Sequence, residues 1–411
     1  MVGRFAGVNR RGAAGRGLRY LGLLVAVVAL FCAGSPAQSA KNVILVIGDG
    51  MGYEHVKAAS YYLSGAEGNL RFEPYYKCGV TTRSLNSSVT DSAAAATALA
   101  TGHKVNNGVI SQSPTGAPYE TILEAAKSLG KRTGLVTTVP ITHATPAAFG
   151  AHEPSRNRYG YIGYDYVYRS QPEVIFGGGD PKRGGSSYFT DNHVMRAQSQ
   201  GYTVVYDAAQ MWALDAGSVD RALGLFAGGD MTYEHDRTPS CTEPHLSEMT
   251  ERALSILSAD PDGFFLMVEG GTIDHAGHAN DIARMTDELV EFNNAAQVAL
   301  SWIQGRTDTL LIVTSDHETG GLTATNQGIG NYAAASWSTT GHTGTNVPLY
   351  AVGPDAGLTD AYIVGGVMDN TDVYRVMMDA YAVPEPGSTV VVVIGVVGLV
   401  TAYRRRPGRF A

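Results

Sequence analysis

Four short apolar runs, at residues 43–47, 135–139, 264–268 and 310–313, punctuate the chain, and each breaks off at a cluster of residues that bind protons or metals. A run with no polar alternation suits a strand covered on both faces, the setting of a parallel sheet whose crossovers are helices. Helical patterns fall between the runs. At 246–257 the apolar residues Leu246, Met249, Ala253, Leu254 and Leu257 share one face, and Asp260-Pro261 stops the pattern before the third run. Residues 93–100 are mostly alanine, the best helix former. Strands alternating with helices specify a layered α/β fold. No repeat or low-complexity linker divides 41–383, which reads as one domain.

In an open α/β sheet, ligands bind at the carboxyl ends of the strands. The four runs are followed by Gly48-Asp49-Gly50, by Thr142-His143-Ala144-Thr145, by Glu269 through His278, and by Ser315-Asp316-His317-Glu318. One Asp-His pair is most often a loop hydrogen bond, but four such strand ends in one chain point to a shared crevice. Histidine and carboxylate without thiolate suit zinc, whereas carboxylate with hydroxyl suits magnesium. Asp274 and His278 stand at i and i+4, one face if that segment is helical. Two metals about 3.5–4 Å apart clamp both oxygens of a phosphoryl transfer. The candidate nucleophile is Ser92, at the start of the alanine-rich helix, where the positive helix end favours an anion. Asp91 or Ser92 would serve equally as a plain helix cap. The ligand clusters elsewhere tip the reading towards a nucleophile. The net charge is −8 and both ends are basic, so the middle is more acidic still, which argues against non-specific nucleic-acid binding.

The ends read as addresses. Arg10, Arg11, Arg16 and Arg19 precede an apolar run at 21–33 and small residues up to Ala37 and Ala40. That order is a secretory signal over 1–40. At the other end Pro384-Glu385-Pro386 leads to an apolar run at 389–402 and then Arg404-Arg405-Arg406. The segment 384–411 resembles the PEP-CTERM sorting signal, which implies an exosortase-type processing enzyme as partner; the alternative is a permanent membrane anchor. Both place 41–383 in the periplasm, the cell envelope or outside the cell. With Cys32 in the signal, Cys78 and Cys241 remain, and sequence leaves open whether they pair.

Five motifs in order resemble the alkaline phosphatase family: Val46-Ile47-Gly48-Asp49-Gly50-Met51-Gly52, Thr90-Asp91-Ser92-Ala93-Ala94, His143-Ala144-Thr145-Pro146, Val268 to His275 with His278, and Ser315-Asp316-His317-Glu318 followed by Gly341-His342-Thr343. The resemblance implies a three-layer sandwich, hydrolysis of phosphate monoesters through phosphoserine at Ser92, and a homodimer. It implies two Zn2+ and one Mg2+: Asp274, His278 and His342 for one zinc, Asp49, Asp316 and His317 for the other, and Asp49, Thr145 and Glu269 for magnesium. Arg156 then grips phosphate, with Arg158 as the fallback, and His275 reaches phosphate or a metal. His143 and His275 replace the Asp and Lys of some bacterial members, which leaves the third metal open, with His143 a neighbour of that site. His103, His152 and His245 read as structural. Two rivals are a phosphodiesterase of the same superfamily and an inert matrix protein on this fold.

Overall fold

The computed structural model describes residues 40–382 together with Met1, Gly3 and Arg4. The expected sorting tail and nearly all of the expected leader lie outside the described residues. Among the described residues, no helix is long and apolar enough to cross a membrane.

Strand β1 (Asn42–Gly48) contains the first apolar run, and every residue of it is buried. Its side chains alternate between two cores: Val43, Leu45 and Ile47 face one, Ile44 and Val46 the other. That two-sided burial is why the run lacks polar alternation. In chain order follow β2 (Tyr76–Thr81), β3 (Arg132–Pro140), β4 (Val174–Gly178), β5 (Tyr202–Val205), β6 (Arg221–Leu225), β7 (Phe264–Gly270) and β8 (Thr309–Thr314). After β8 come the short β9 (Glu318–Thr319), β10 (Leu322–Thr325), β11 (Ala334–Trp337) and β12 (His342–Thr343), and then β13 (Val347–Val352) and β14 (Val367–Asp369).

Ten strands form one sheet, in the order β14-β2-β13-β8-β1-β7-β3-β4-β6-β5. The four strands read from the sequence are the contiguous middle of that sheet. They run parallel, β8 beside β1 beside β7 beside β3, so their carboxyl ends lie along one edge. Only β13 opposes its neighbours, pairing antiparallel with β2 and β8.

Helices cover both faces, giving three layers. Ser92–Thr101, Ile122–Ser128, Ala144–Gly150 and Asn370–Ala382 supply one core, while Tyr53–Ser64, Leu246–Leu257 and Ile282–Ile303 supply the other. The helix read at 246–257 has those bounds, with its apolar face buried as expected. The alanine-rich helix is buried all round, which its small side chains permit by letting neighbours approach closely. Two small ladders, β10 with β11 and β9 with β12, stand outside the main sheet. Cys78, buried on β2, and Cys241 are both free thiols.

Candidate active site

The loop after β1 turns at Gly50, which has φ +74°, a conformation that side chains disfavour. A Cβ there would meet the Asp274 backbone at 2.9 Å. The turn aims Asp49 along the carboxyl edge of the sheet, and the Gly50 amide donates to Asp316 Oδ1 at 3.1 Å. One of the expected metal groups appears whole as a donor cluster, and a second appears with His143 where Thr145 was expected. Asp49, Asp316 and His317 bring ligand atoms together, and so do Asp49, His143 and Glu269. The third cluster is Asp274, His317 and His342. His278 borders it, with Nε2 3.3 Å from Asp274 Oδ2 and 3.2 Å from His342 Nε2. The Thr272–His278 helix puts Asp274 and His278 on one face, as their spacing required.

Ser92 opens its helix, and the cap role falls to its neighbour. Asp91 Oδ1 accepts from the Ala94 amide at 3.0 Å, leaving Ser92 Oγ 3.1 Å from His317 Nε2. Asp91 Oδ2 also accepts from the Gly108 amide and pairs with Arg156 at 3.2 Å. The other arm of that guanidinium donates to His143 Nε2 at 3.0 Å. Arg158 turns elsewhere: it pairs with Glu153 at 2.8 Å and lies over the Tyr161 ring, so Arg156 alone of the two faces Ser92's neighbours. His275 pairs through Nδ1 with Asp230 Oδ2 at 2.9 Å and stands edge-on to His143.

Both oxygens of Asp49, Asp316 Oδ2, Glu269 Oε1, Thr145 Oγ1 and His143 Nδ1 are buried without a hydrogen-bond partner. Orphaned buried carboxylates are costly. Burial and then the neighbouring acids push Asp49 well above the usual carboxylate range and Asp316 up to about 8. Burial lifts Glu269 to about 7 against the hydrogen bond from Thr137. Burial, with Arg156 and His275 nearby, lowers His143 to about 3, so its ring is neutral and accepts from Arg156. This is the electrostatic signature of a site shaped for cations. Exposure rises from Asp49, fully buried, to His278, whose side chain is 40 % exposed, so the site opens on the His278 side. A cavity of about 430 Å³ around Lys131, Arg132, Glu173 and Arg221 contains none of these residues, so the donors, not the volume of a cleft, locate the site.

Sequence reasoning passed over Asp230, Thr137, Thr319 and the anchoring role of Asp91. The first three carry no local signal, because their partners are far along the chain. His152 is paired with Glu124, His245 with Glu234, and His103 is stacked on Tyr119, all in local structural contacts.

The mostly parallel sheet, with carboxylates and histidines gathered along its carboxyl edge, defines an α/β protein with a cation-seeking site, and comparison with known proteins supplies the family. The alkaline phosphatase profile matches residues 40–335, and the chain belongs to the alkaline phosphatase family. It is 39 % identical to alkaline phosphatase 3 of Bacillus subtilis over 303 residues, 71 % of this chain and 64 % of that relative's own length. The structure of a cold-active alkaline phosphatase from a psychrophilic Shewanella superposes with a TM-score of 0.74 at 31 % identity, covering 84 % of this chain and all of that one. A histidine-to-aspartate variant of the TAB5 alkaline phosphatase from an Antarctic bacterium, with magnesium in its M3 site, gives 0.71 at 29 % identity over 85 % of this chain and all of that one.

Proposed function

We propose that this chain hydrolyses phosphate monoesters to an alcohol and inorganic phosphate through a phosphoserine at Ser92. The observation that carries the reading is the set of orphaned buried carboxylate oxygens, both of Asp49 and one each of Asp316 and Glu269, gathered beside a serine whose Oγ faces His317. Asp274, His278 and His342 would hold one zinc, and Asp49, Asp316 and His317 a second. Asp49, Thr145 and Glu269 would hold magnesium, with His143 adjoining. Magnesium in the M3 site of the TAB5 variant supports a third metal of that kind. When bound, such ions lower the pKa of a serine hydroxyl and stabilise charge on a leaving oxygen.

Arg156 holds phosphate oxygens through its planar fork, braced by Asp91. The amides at the start of the Ser92–Thr101 helix add partial positive charge on the same side. Ser92 Oγ gives up its hydrogen and forms the bond to phosphorus as the bond to the ester oxygen breaks, and that oxygen takes up a proton to leave as the alcohol. Water then cleaves phosphoserine and restores the hydroxyl. His275, held by Asp230 and edge-on to His143, would meet phosphate from that side.

Broad specificity follows, because every named donor addresses phosphate and none reads the alcohol. The site opens through His278, where the leaving group has room. Export through the 1–40 leader, removal of the 384–411 tail by an exosortase-type enzyme, and a homodimer belong to the same proposal. Acid quench after exposure to labelled phosphate tests the mechanism. Label is expected on Ser92 and absent from Ser92→Ala, which keeps the helix because alanine suits its first turn. Label on any other residue overturns the assignment.

A further inference from the structure

Thr319 stands between two of the donor clusters and touches both. It is fully buried on β9. Its Oγ1 donates to Asp274 Oδ1 and lies 3.3 Å from His317 Nδ1. A hydroxyl has one hydrogen and a carboxylate only accepts. With that hydrogen directed to Asp274, the oxygen presents a lone pair to His317, so Nδ1 must carry the ring hydrogen. Nε2 is left unprotonated, 3.1 Å from Ser92 Oγ, 3.1 Å from Asp316 Oδ2 and 3.4 Å from Asp49 Oδ1. A nitrogen lone pair turned towards two carboxylates is repulsive unless a cation lies among them.

The surroundings hold this hydroxyl in place. The Thr319 amide donates to the Gly50 carbonyl at 3.1 Å, and its backbone pairs with His342 across the β9–β12 ladder. A Cβ on Gly50 would come within 2.9 Å of Oγ1, and one on Gly277 within 3.1 Å of the Thr319 methyl. Asp274 and His317 thus meet at one hydroxyl, and His342 is paired to the backbone of the same residue.

We infer that Thr319 is a positioning residue whose single hydroxyl orders Asp274 and His317 together and so couples the two zinc groups. The inference rests on the two-zinc reading above. Hydrogen-bond partners of metal ligands fix ring tautomer and orientation, and their loss costs about 10–100-fold in metal affinity.

Thr319→Ser and Thr319→Ala both remove the methyl and differ only in the hydroxyl. Zinc is titrated into each full-length, metal-stripped chain against a competing chelator, and melting of the metal-free forms is recorded alongside. Thr319→Ser should bind both zincs within about threefold of the parent. Thr319→Ala should bind both about 10–100-fold more weakly, with the same metal-free melting temperature as Thr319→Ser. Equal zinc affinity in the two variants overturns the inference, and so does a loss confined to one zinc. If Thr319→Ala does not fold, Thr319→Val takes its place, keeping the volume without the hydroxyl. A parent chain that takes up no zinc defeats the two-zinc reading itself, and the inference with it.

Discussion

Glu288 is a buried acid beneath the loop that leaves β7. It lies on the Ile282–Ile303 helix, where Oε2 accepts from Thr272 Oγ1 at 2.5 Å and Oε1 from the Glu234 amide at 2.6 Å. Thr272 lies 2.9 Å from Thr138 Oγ1, which accepts from the Gly271 amide. Glu288 therefore supports the first turn of the helix that bears Asp274. Burial pushes its carboxyl from the ordinary 4.5 up to about 7, against these hydrogen bonds, which favour the ionised form. The folded state thus holds a proton that the unfolded chain has already shed. The associated stability is complete below pH 4.5, drains away as pH rises to 7, and is absent above. At about 1.36 kcal/mol per pH unit the whole effect is about 3 kcal/mol. Glu288→Gln stays neutral throughout and lacks this slope. Urea unfolding of parent and variant, both metal-free so that the other acids cancel in the difference, reads it directly. From pH 5 to 8 the variant should gain about 2–3 kcal/mol on the parent. A stability difference that does not change with pH would refute the reasoning.

Asp91→Asn keeps the acceptor for Ala94 but removes the charge facing Arg156. Inhibition by phosphate should weaken about tenfold, the equivalent of ~1.4 kcal/mol, with little change in melting temperature. An unchanged inhibition constant would show that Asp91 does not brace the guanidinium. His143→Asp places a hard oxygen donor beside Thr145 and Glu269, so bound magnesium should rise relative to transition metals. Elemental analysis showing unchanged metal content would remove His143 from the third site. The mature protein from its native host should lack Arg404, Arg405 and Arg406, and an intact mass that retains Arg406 would identify the tail as an anchor.

The parts of the fold that could be read in advance were those whose cause is local. Buried central strands show as short runs of apolar and β-branched residues without polar alternation, and the Leu246–Leu257 helix shows as a 3.6-residue period over a single core face. The residues that follow those runs were readable for the same reason, since a parallel strand delivers what comes next to one edge. β9 and β12 are two residues each, too short for any period to register. The antiparallel insertion of β13 between β2 and β8 depends on pairing over a long separation. Asp230 reaches His275, and Thr319 reaches Asp274, only after the sheet has brought distant loops together. Asp91 looked like a cap and is one, but its second oxygen is free to hold Arg156, a contact that no helix signal encodes.

His342 arrives last. Asp49 follows the first strand, Asp274 the seventh and Asp316 the eighth, but the cluster that contains His342 closes only when β12 docks on β9. A ribosome must therefore have released most of 40–382 before that cluster is whole. Joining points so far apart costs chain entropy, and a cation held by Asp49, Asp316 and His317 would act as a staple across residues 49–316 of the polypeptide. Capture at the cluster that contains His342 then waits for the late part of the chain, because a chain truncated before β12 lacks that ligand. The compartment in which folding ends, rather than the one in which translation begins, would decide which ion is loaded.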